Sequence, residues 1–270
     1  MCNHTKRNAI GLDLGGTNLK FGVVSAEGEL IRFGTTSVRS EKGKDHILKL
    51  MIQAAHECLT FAGENHFSVT AVGIGCPGSI DSGRGISPGP TPHIPNWEDV
   101  PLAEIIGDAT GLPVFVNNDA KLMTYGEYKS GAGCRYHTVA GITLGTGIGG
   151  GIIINGEILN RSSFNAAEFG HMTVEAEGRP CACGNRGCLE QYAGGKFIIR
   201  DFIDAFNQGH PSSLHASTDI TVKDIITAWR NGDSLATGIM NRALDYLGAG
   251  IANIVHSLNP DVIIIGGGIS

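Results

Sequence analysis

No run of the 270 residues is apolar for long enough to cross a bilayer, and the polar opening MCNHTKRN has none of the form of a secretory leader. No membrane role is expected, and the default compartment is the cytoplasm. Positive charge is also scarce: 20 Lys and Arg stand against 26 Asp and Glu, a formal net charge of −6. A chain built to coat nucleic acid carries the opposite balance. The seven cysteines are an odd number, and Cys2, Cys58, Cys76 and Cys134 are scattered among them. That usage fits reduced intracellular thiols rather than a disulfide scaffold. The turn Gly15-Gly16-Thr17 has neither the spacing of a P-loop nor that of a dinucleotide fingerprint.

What the chain does have is a dense cluster between Asn165 and Gly195, NAAEFGHMTVEAEGRPCACGNRGCLEQYAGG. His171, Cys181, Cys183 and Cys188 supply four soft or borderline ligands at the density of one tetrahedral zinc site, flanked by Glu168 and Glu190. Glycines 184, 187, 194 and 195 let the backbone turn tightly around it. Plain buried thiols and an iron–sulfur centre are the competing readings.

Glycine turns come next. Ile10–Leu14 reads as a buried strand, followed by Gly15-Gly16-Thr17 and an apolar run from Leu19 to Val24. A glycine turn between two strands exposes backbone N–H groups to a phosphate, Asp13 is placed to orient Mg²⁺, and Lys20 to support it electrostatically. An ordinary hairpin with a solvated Asp13 is the alternative. A second turn follows the strand Thr138–Leu144, in which Thr143 lies, and five glycines fall within Gly145–Gly151. Aligning Gly11 with Gly141 pairs GLDLGGT with GITLGTG at an offset of 130 residues, which suggests a duplicated α/β unit. So many glycines argue against a strand that merely packs.

Between the turns, helical spacing marks 47–62, and Val69–Cys76 reads as a strand cut by Pro77-Gly78. The Gly- and Pro-rich segment 79–101 is expected to be a long surface connection. Val114–Val116 is a short strand leading through Asn117-Asn118-Asp119 into a helix, Ala120–Lys129. Asp119 is either a general base facing a cleft or the cap of that helix. Helices are expected over 197–207, over 222–229 behind a Thr221/Asp224 capping box, and from Leu235 to about Leu258. The strand Val262–Ile265 then runs into Gly266-Gly267-Gly268.

Taken in order, the two glycine turns, CPGSID, NNDA, the cysteine stretch and GGGIS closely resemble the ROK family of sugar kinases and repressors, over essentially the whole chain from Ile10. The resemblance implies the α/β actin-like ATPase fold, two RNase-H-like domains closing on sugar and nucleotide, with 8–120 as the first and 121–270 as the second. It implies ATP- and Mg²⁺-dependent phosphorylation of a hexose, glucose to glucose 6-phosphate, with N-acetylmannosamine, N-acetylglucosamine or fructose as alternative substrates. A non-catalytic sugar-sensing regulator is the other alternative. Sugar binding is carried over to Gly78, Asn118, Asp119, Glu168, His171 and Glu190, with Asp119 as the base. Nucleotide binding goes to Asp13, Gly15, Gly16, Thr17, Lys20, Thr143, Gly145, Thr146, Gly147, Gly266, Gly267 and Gly268. His171, Cys181, Cys183 and Cys188 match the family's structural zinc ligands. A homodimer or larger homo-oligomer is implied, with no nucleic-acid or membrane partner. Two departures stand out. Lys121 occupies a position where the family commonly has Asn, and is expected either to depress the pKa of Asp119 or to solvate at the surface. The end at Ser270, just past a glycine turn, reads as a truncated C-terminus.

Overall fold

The computed structural model describes residues 7–91, 94–160, 164–214 and 219–270; Cys2 lies outside them. Of the described residues, one compact unit takes those in Met1–Leu122, Lys129–Cys134 and Asn160–Ala166, and the other those in Met123–Tyr128, Arg135–Leu159 and Ala167–Ser270.

The first unit is built on β1 (Asn8–Leu14), β2 (Asn18–Val24), β3 (Leu30–Ser37), α1 (Lys44–Glu64), β4 (Val69–Cys76), α2 (Leu102–Thr110) and β5 (Val114–Asn118), which leads into α3 (Asp119–Ser130). Its sheet has the order β3-β2-β1-β4-β5. β1 and β2 form an antiparallel hairpin, whereas β4 and β5 run parallel to β1, so their C-terminal ends collect at one edge. Alternating burial along β1 matches a strand with one face in the core. α1 buries Ile47, Met51, Ala54, Ala55, Cys58 and Ala62 along one stripe, as the helical spacing predicts.

In this unit β3 and α2 escape the sequence reading. β3 has no buried position, and its Leu30 and Phe33 are exposed, so it lacks the apolar alternation that marks a half-buried strand. α2 buries only Leu102 and Ile106. The segment 79–101 also departs from expectation, because much of it is core rather than surface. Ile80, Ile94, Trp97 and Val100 are buried, and the Trp97 indole N–H donates to the Ser87 hydroxyl at 2.9 Å. Gly and Pro set its turns while a few large apolar residues pin it down.

The second unit contains β6 (Thr138–Leu144), β7 (Ile148–Ile154), β8 (Glu157–Ile158), α4 (Glu190–Ala193), α5 (Gly195–Asn207), α6 (Val222–Arg230), α7 (Ser234–Leu258) and β9 (Val262–Gly266). The sheet order is β8-β7-β6-β9, with β6 antiparallel to β7 and parallel to β9. This repeats the plan β3-β2-β1-β4. Gly11 pairs with Gly22 across the first hairpin, and Gly141 with Gly151 across the second. The 130-residue offset is thus a repeat of topology. The Thr221/Asp224 capping box is formed, and α7 ends on Asn259 in the left-handed conformation.

Candidate functional site

In the first unit the candidate residues meet at the C-terminal ends of β1, β4 and β5. Asp13 on β1 is in register with Gly75 on β4, which is in register with Asn117 on β5. A Cβ on Gly75 would sit 3.5 Å from Asp13 Oδ1 and 3.6 Å from Asp119 Cα, so this glycine keeps open the space between two carboxylate-bearing residues. Gly75 was not among the residues singled out from sequence; a glycine closing a buried strand was the available signal.

Asn118 and Asp119 divide their tasks. Asn118 Oδ1 accepts from the N–H groups of Ala120 and Lys121 at 3.0 and 3.2 Å, and its Nδ2 donates to the Gly78 carbonyl at 3.1 Å. Asn118 therefore caps the start of α3 and ties it to the Pro77-Gly78 turn, where Gly78 has φ of 85°. Asp119 Oδ1 accepts the Ala120 N–H at 2.9 Å, and the Asp119 N–H and the Asn118 side chain also bear on the carboxylate. Burial raises its carboxyl above the ordinary carboxylate range; the Ala120 N–H opposes the shift and the charge of Asp13 adds to it.

Lys121 does not solvate at the surface. Its side chain is buried, and its ammonium donates to the Phe164 carbonyl at 2.7 Å. Nearby, the Ser79 hydroxyl donates to Asn165 Oδ1 at 2.6 Å. The segment around Phe164 is thereby bonded to the α3 start and the CPGSID turn.

Gly16 and Thr17 are exposed at the β1–β2 turn, which is closed by the Gly15 N–H on the Asn18 carbonyl at 2.9 Å. Lys20 Nζ lies 3.5 Å from Asp13 Oδ2, with both side chains half-exposed, so the pair adds little to stability.

In the second unit, Gly145, Thr146 and Gly147 form the β6–β7 turn. Thr143 Oγ1 accepts the Gly149 N–H at 3.1 Å behind it. Gly266 pairs with Thr143, and Gly267, at φ of 114°, leaves no room for a side chain against the Leu144 backbone. The terminal glycines and the second turn therefore adjoin. Gly150 has a different reason from the one expected of it: a Cβ there would overlap the Phe169 ring, and one on Gly170 would overlap the Ile148 carbonyl. These glycines let the 3-10 turn Phe169–His171 lie against β7.

That turn holds His171, and the backbone bridge Thr173↔Cys188 brings Cys188 back beside it. The bridge Pro180↔Arg186 closes the loop carrying Cys181 and Cys183. One ligand atom from each of His171, Cys181, Cys183 and Cys188 lies within 4.8 Å of the others. His171 Nδ1 is 3.6 Å from Cys181 Sγ, and Cys183 Sγ is 3.7 Å from Cys188 Sγ. Tetrahedral zinc with bonds of roughly 2.3 Å to sulfur and 2.0 Å to nitrogen has edges of about 3.8 and 3.5 Å, so the donor set fits. Gln191 Nε2 donates to Cys181 Sγ at 3.6 Å. Burial, then the neighbouring sulfurs, push the Cys188 thiol up to about 12, whereas at Cys183 burial is outweighed by the Asn185 N–H and the neighbouring sulfurs and the shift is downward. Nδ1 faces the sulfurs, so Nε2 is the other nitrogen of His171.

Glu190 stands at the start of α4, next to Cys188 and Leu189, and its Oε2 accepts the Ile148 N–H at 2.9 Å. Glu168 precedes the 3-10 turn and its carbonyl accepts the His171 N–H at 3.0 Å. Among the described residues no helix is long and apolar enough to cross a membrane.

Comparison with known proteins supplies the context for this geometry. A family model described as "ROK family" matches residues 9–270. The glucokinase of Thermotoga maritima is 37% identical over 269 residues, covering 98% of this chain and 83% of that protein. The structure of a ROK family glucokinase from Streptomyces griseus in complex with glucose and AMPPNP superposes with a TM-score of 0.82 at 34% identity, over 97% of this chain and 83% of the other. A ROK family transcriptional regulator, a homologue of the E. coli MLC protein, superposes with a TM-score of 0.86 at 30% identity, over 97% of this chain and 65% of its own. The fold is the actin-like ATPase fold.

Proposed function

Because the chain belongs to the ROK family, we propose that it is an ATP-dependent hexose kinase that converts glucose to glucose 6-phosphate. The observation that carries this reading is the pairing of a half-buried Asp119, its carboxyl raised by burial, with a glycine hairpin whose Asp13 lies across Gly75 from it. The similarity to glucokinases over nearly the full chain favours glucose among the hexoses.

The residues divide the work by chemistry. Asp119, ionised, takes the proton of the attacking sugar hydroxyl as that oxygen bonds to the γ-phosphorus, the bond to the β-phosphate oxygen breaks, and ADP leaves. Sugar binding is assigned to Gly78 and Asn118 beside Asp119, and to the hydroxyl-binding groups Glu168, Glu190 and the Nε2 of His171. Gly15 and Gly145 close their turns through their own N–H groups, those of Gly16 and Thr17 and of Thr146 and Gly147 receive phosphate oxygens, Lys20 and Thr143 support them, and Gly266–Gly268 line the adenosine side. Mg²⁺ travelling with ATP would neutralise phosphate charge, with Asp13 as its protein partner. Zinc, held by His171, Cys181, Cys183 and Cys188, would be structural, since four protein ligands fill a tetrahedral ion. Functionally, 8–120 would be the domain of the base and 121–270 the domain of the metal cluster. The enzyme would act in the cytoplasm, at the entry to glycolysis, as a homodimer or larger homo-oligomer.

The regulator is the second reading, favoured by the TM-score of 0.86 to a transcriptional regulator. ADP release from Mg²⁺-ATP over a panel of glucose, mannose, fructose, N-acetylglucosamine and N-acetylmannosamine separates the two. Turnover fastest with glucose, falling roughly 10²- to 10⁴-fold in Asp119→Asn while glucose still binds, is the expected result. Sugar binding without turnover in the wild type would favour the regulator.

A further inference from the structure

Glu190 is an odd neighbour for a phosphate turn. A carboxylate there works against an anionic ligand by Coulomb repulsion, so its place needs a reason other than charge. Its Oε2 accepts the Ile148 N–H at 2.9 Å, and Ile148 follows directly on Gly145–Gly147. Gly147 is packed so closely against this carboxylate that a Cβ on it would overlap Oε2. On the carbonyl side, the N–H groups of Gly195 and Lys196 donate to Gly145 O at 2.9 Å and Thr146 O at 3.0 Å. In a trans peptide the next residue's N–H points opposite to the carbonyl. Holding those two carbonyls toward the start of α5 therefore turns the N–H groups of Thr146 and Gly147 the other way, outward from α5. The turn is thus clamped by the first residue of α4 and by the two residues that open α5, and Glu190 is one jaw of the clamp.

Resting on the kinase reading above, we propose that Glu190 is a positioning residue that couples the sugar to the second phosphate turn. One carboxylate oxygen fixes the turn through Ile148, and the other takes a sugar hydroxyl, since a carboxylate has acceptor capacity for both. A sugar bound at Glu190 holds the carboxylate in the rotamer that clamps the turn. Sugar and nucleotide then strengthen each other's binding, reciprocally, as linkage requires.

The test uses two variants and calorimetry with each ligand alone. Gly147→Ala has an ordinary backbone conformation and meets only the movable end of Glu190, so it displaces the carboxylate rather than the chain. It should weaken glucose binding about tenfold with no nucleotide present, the loss of one hydrogen bond to a charged group. Reciprocally, Glu190→Ala should weaken Mg²⁺-ADP binding several-fold with no sugar present. Glu190→Gln, which keeps an acceptor of the same reach for the Ile148 N–H, should recover Mg²⁺-ADP binding but not glucose binding. Wild-type glucose affinity in Gly147→Ala, or wild-type ADP affinity in Glu190→Ala, would overturn the coupling while leaving the kinase reading intact. A wild-type protein that binds no sugar of the panel would instead overturn the kinase reading, and the coupling with it. A loss of ADP affinity as large in Glu190→Gln as in Glu190→Ala would show that the acceptor at Ile148 is not the link.

Discussion

The two glycine hairpins share a strand plan but are held in different ways. The β1–β2 turn is closed by its own strands, through Gly15 and Asn18, and a Cβ on Gly16 would meet nothing within 4 Å. The β6–β7 turn is gripped from outside the hairpin, by Glu190 on one side and by Gly195 and Lys196 on the other. Similar sequence motifs therefore end in unequal mechanical situations. The first turn is held by its own pairing and by one bond from just past β3, the Val38 N–H on the Thr17 carbonyl at 2.9 Å, whereas the second depends on a segment that follows Cys188 directly, and so on whatever fixes the cysteine loop. That loop is further tied down by Arg179, whose backbone N–H donates to the Tyr192 hydroxyl and whose guanidinium donates to the Gln191 carbonyl at 2.7 Å and to Asp201 at 2.8 Å.

The largest effect should come from cutting that dependence at the metal cluster. Cys183→Ser removes one of four ligands, and elemental analysis should show zinc falling from about one per chain to a small fraction. Binding of structural zinc is coupled to folding, so the melting temperature should fall with it, on the order of 10 °C for a loss of a few kcal/mol. Mg²⁺-ADP affinity should weaken as well, because the second turn loses its outside support. Full zinc content with an unchanged melting point would refute the site and with it this account of the difference.

A smaller effect sharpens the comparison directly. A Cβ on Gly195 would lie 2.7 Å from the Gly145 carbonyl oxygen and 3.2 Å from Val222, so Gly195→Ala pushes the second turn out of place. Gly16→Ala has open space around it. Calorimetry with Mg²⁺-ADP should show a loss of about tenfold for Gly195→Ala and less than about threefold for Gly16→Ala, an interval of roughly 1 kcal/mol. Equal losses would mean that the two turns are equally supported.

How much of this was readable beforehand follows the range of the interactions involved. β1, β4, α1, α6 and its capping box, and α7 were legible because strand alternation, helical spacing and cap chemistry are local. The cysteine cluster was legible because its ligands fall in a short stretch of sequence. Long-range partners were not. Nothing around Lys121 announces that its ammonium is buried on the carbonyl of Phe164, and nothing in SPGPTPHIPNWEDVP separates the core residue Trp97 from a surface one. The cap of α3 was assigned to a choice between base and cap at Asp119, while the residue before it does the capping. The glycine count of the second turn was read as phosphate chemistry throughout, although Gly150 serves the packing of Phe169. Composition cannot distinguish a glycine that admits a ligand from one that admits a neighbouring backbone.

The smallest expected effects concern the first unit's carboxylates and have opposite signs for activity and stability. Burial first, and then Asp13, raise the Asp119 carboxyl above its ordinary value. A general base works only when ionised, so turnover should fall as pH drops through that raised value, giving an acidic limb above the usual carboxylate range. Asp13→Asn removes one of the raising charges, and the limb should move to lower pH. Its position is independent of any loss of rate from weaker Mg²⁺ binding, so an unmoved limb would exclude the coupling. For stability the sign reverses. A carboxyl whose folded pKa lies above its unfolded one favours the folded state most when protonated, below the unfolded pKa, and that contribution is lost as pH rises through the folded pKa. At neutral pH the ionised Asp119 is therefore a burden on the fold. Asp119→Asn should melt slightly above the wild type at pH 7, with the gap closing as pH is lowered, even though it has lost its turnover.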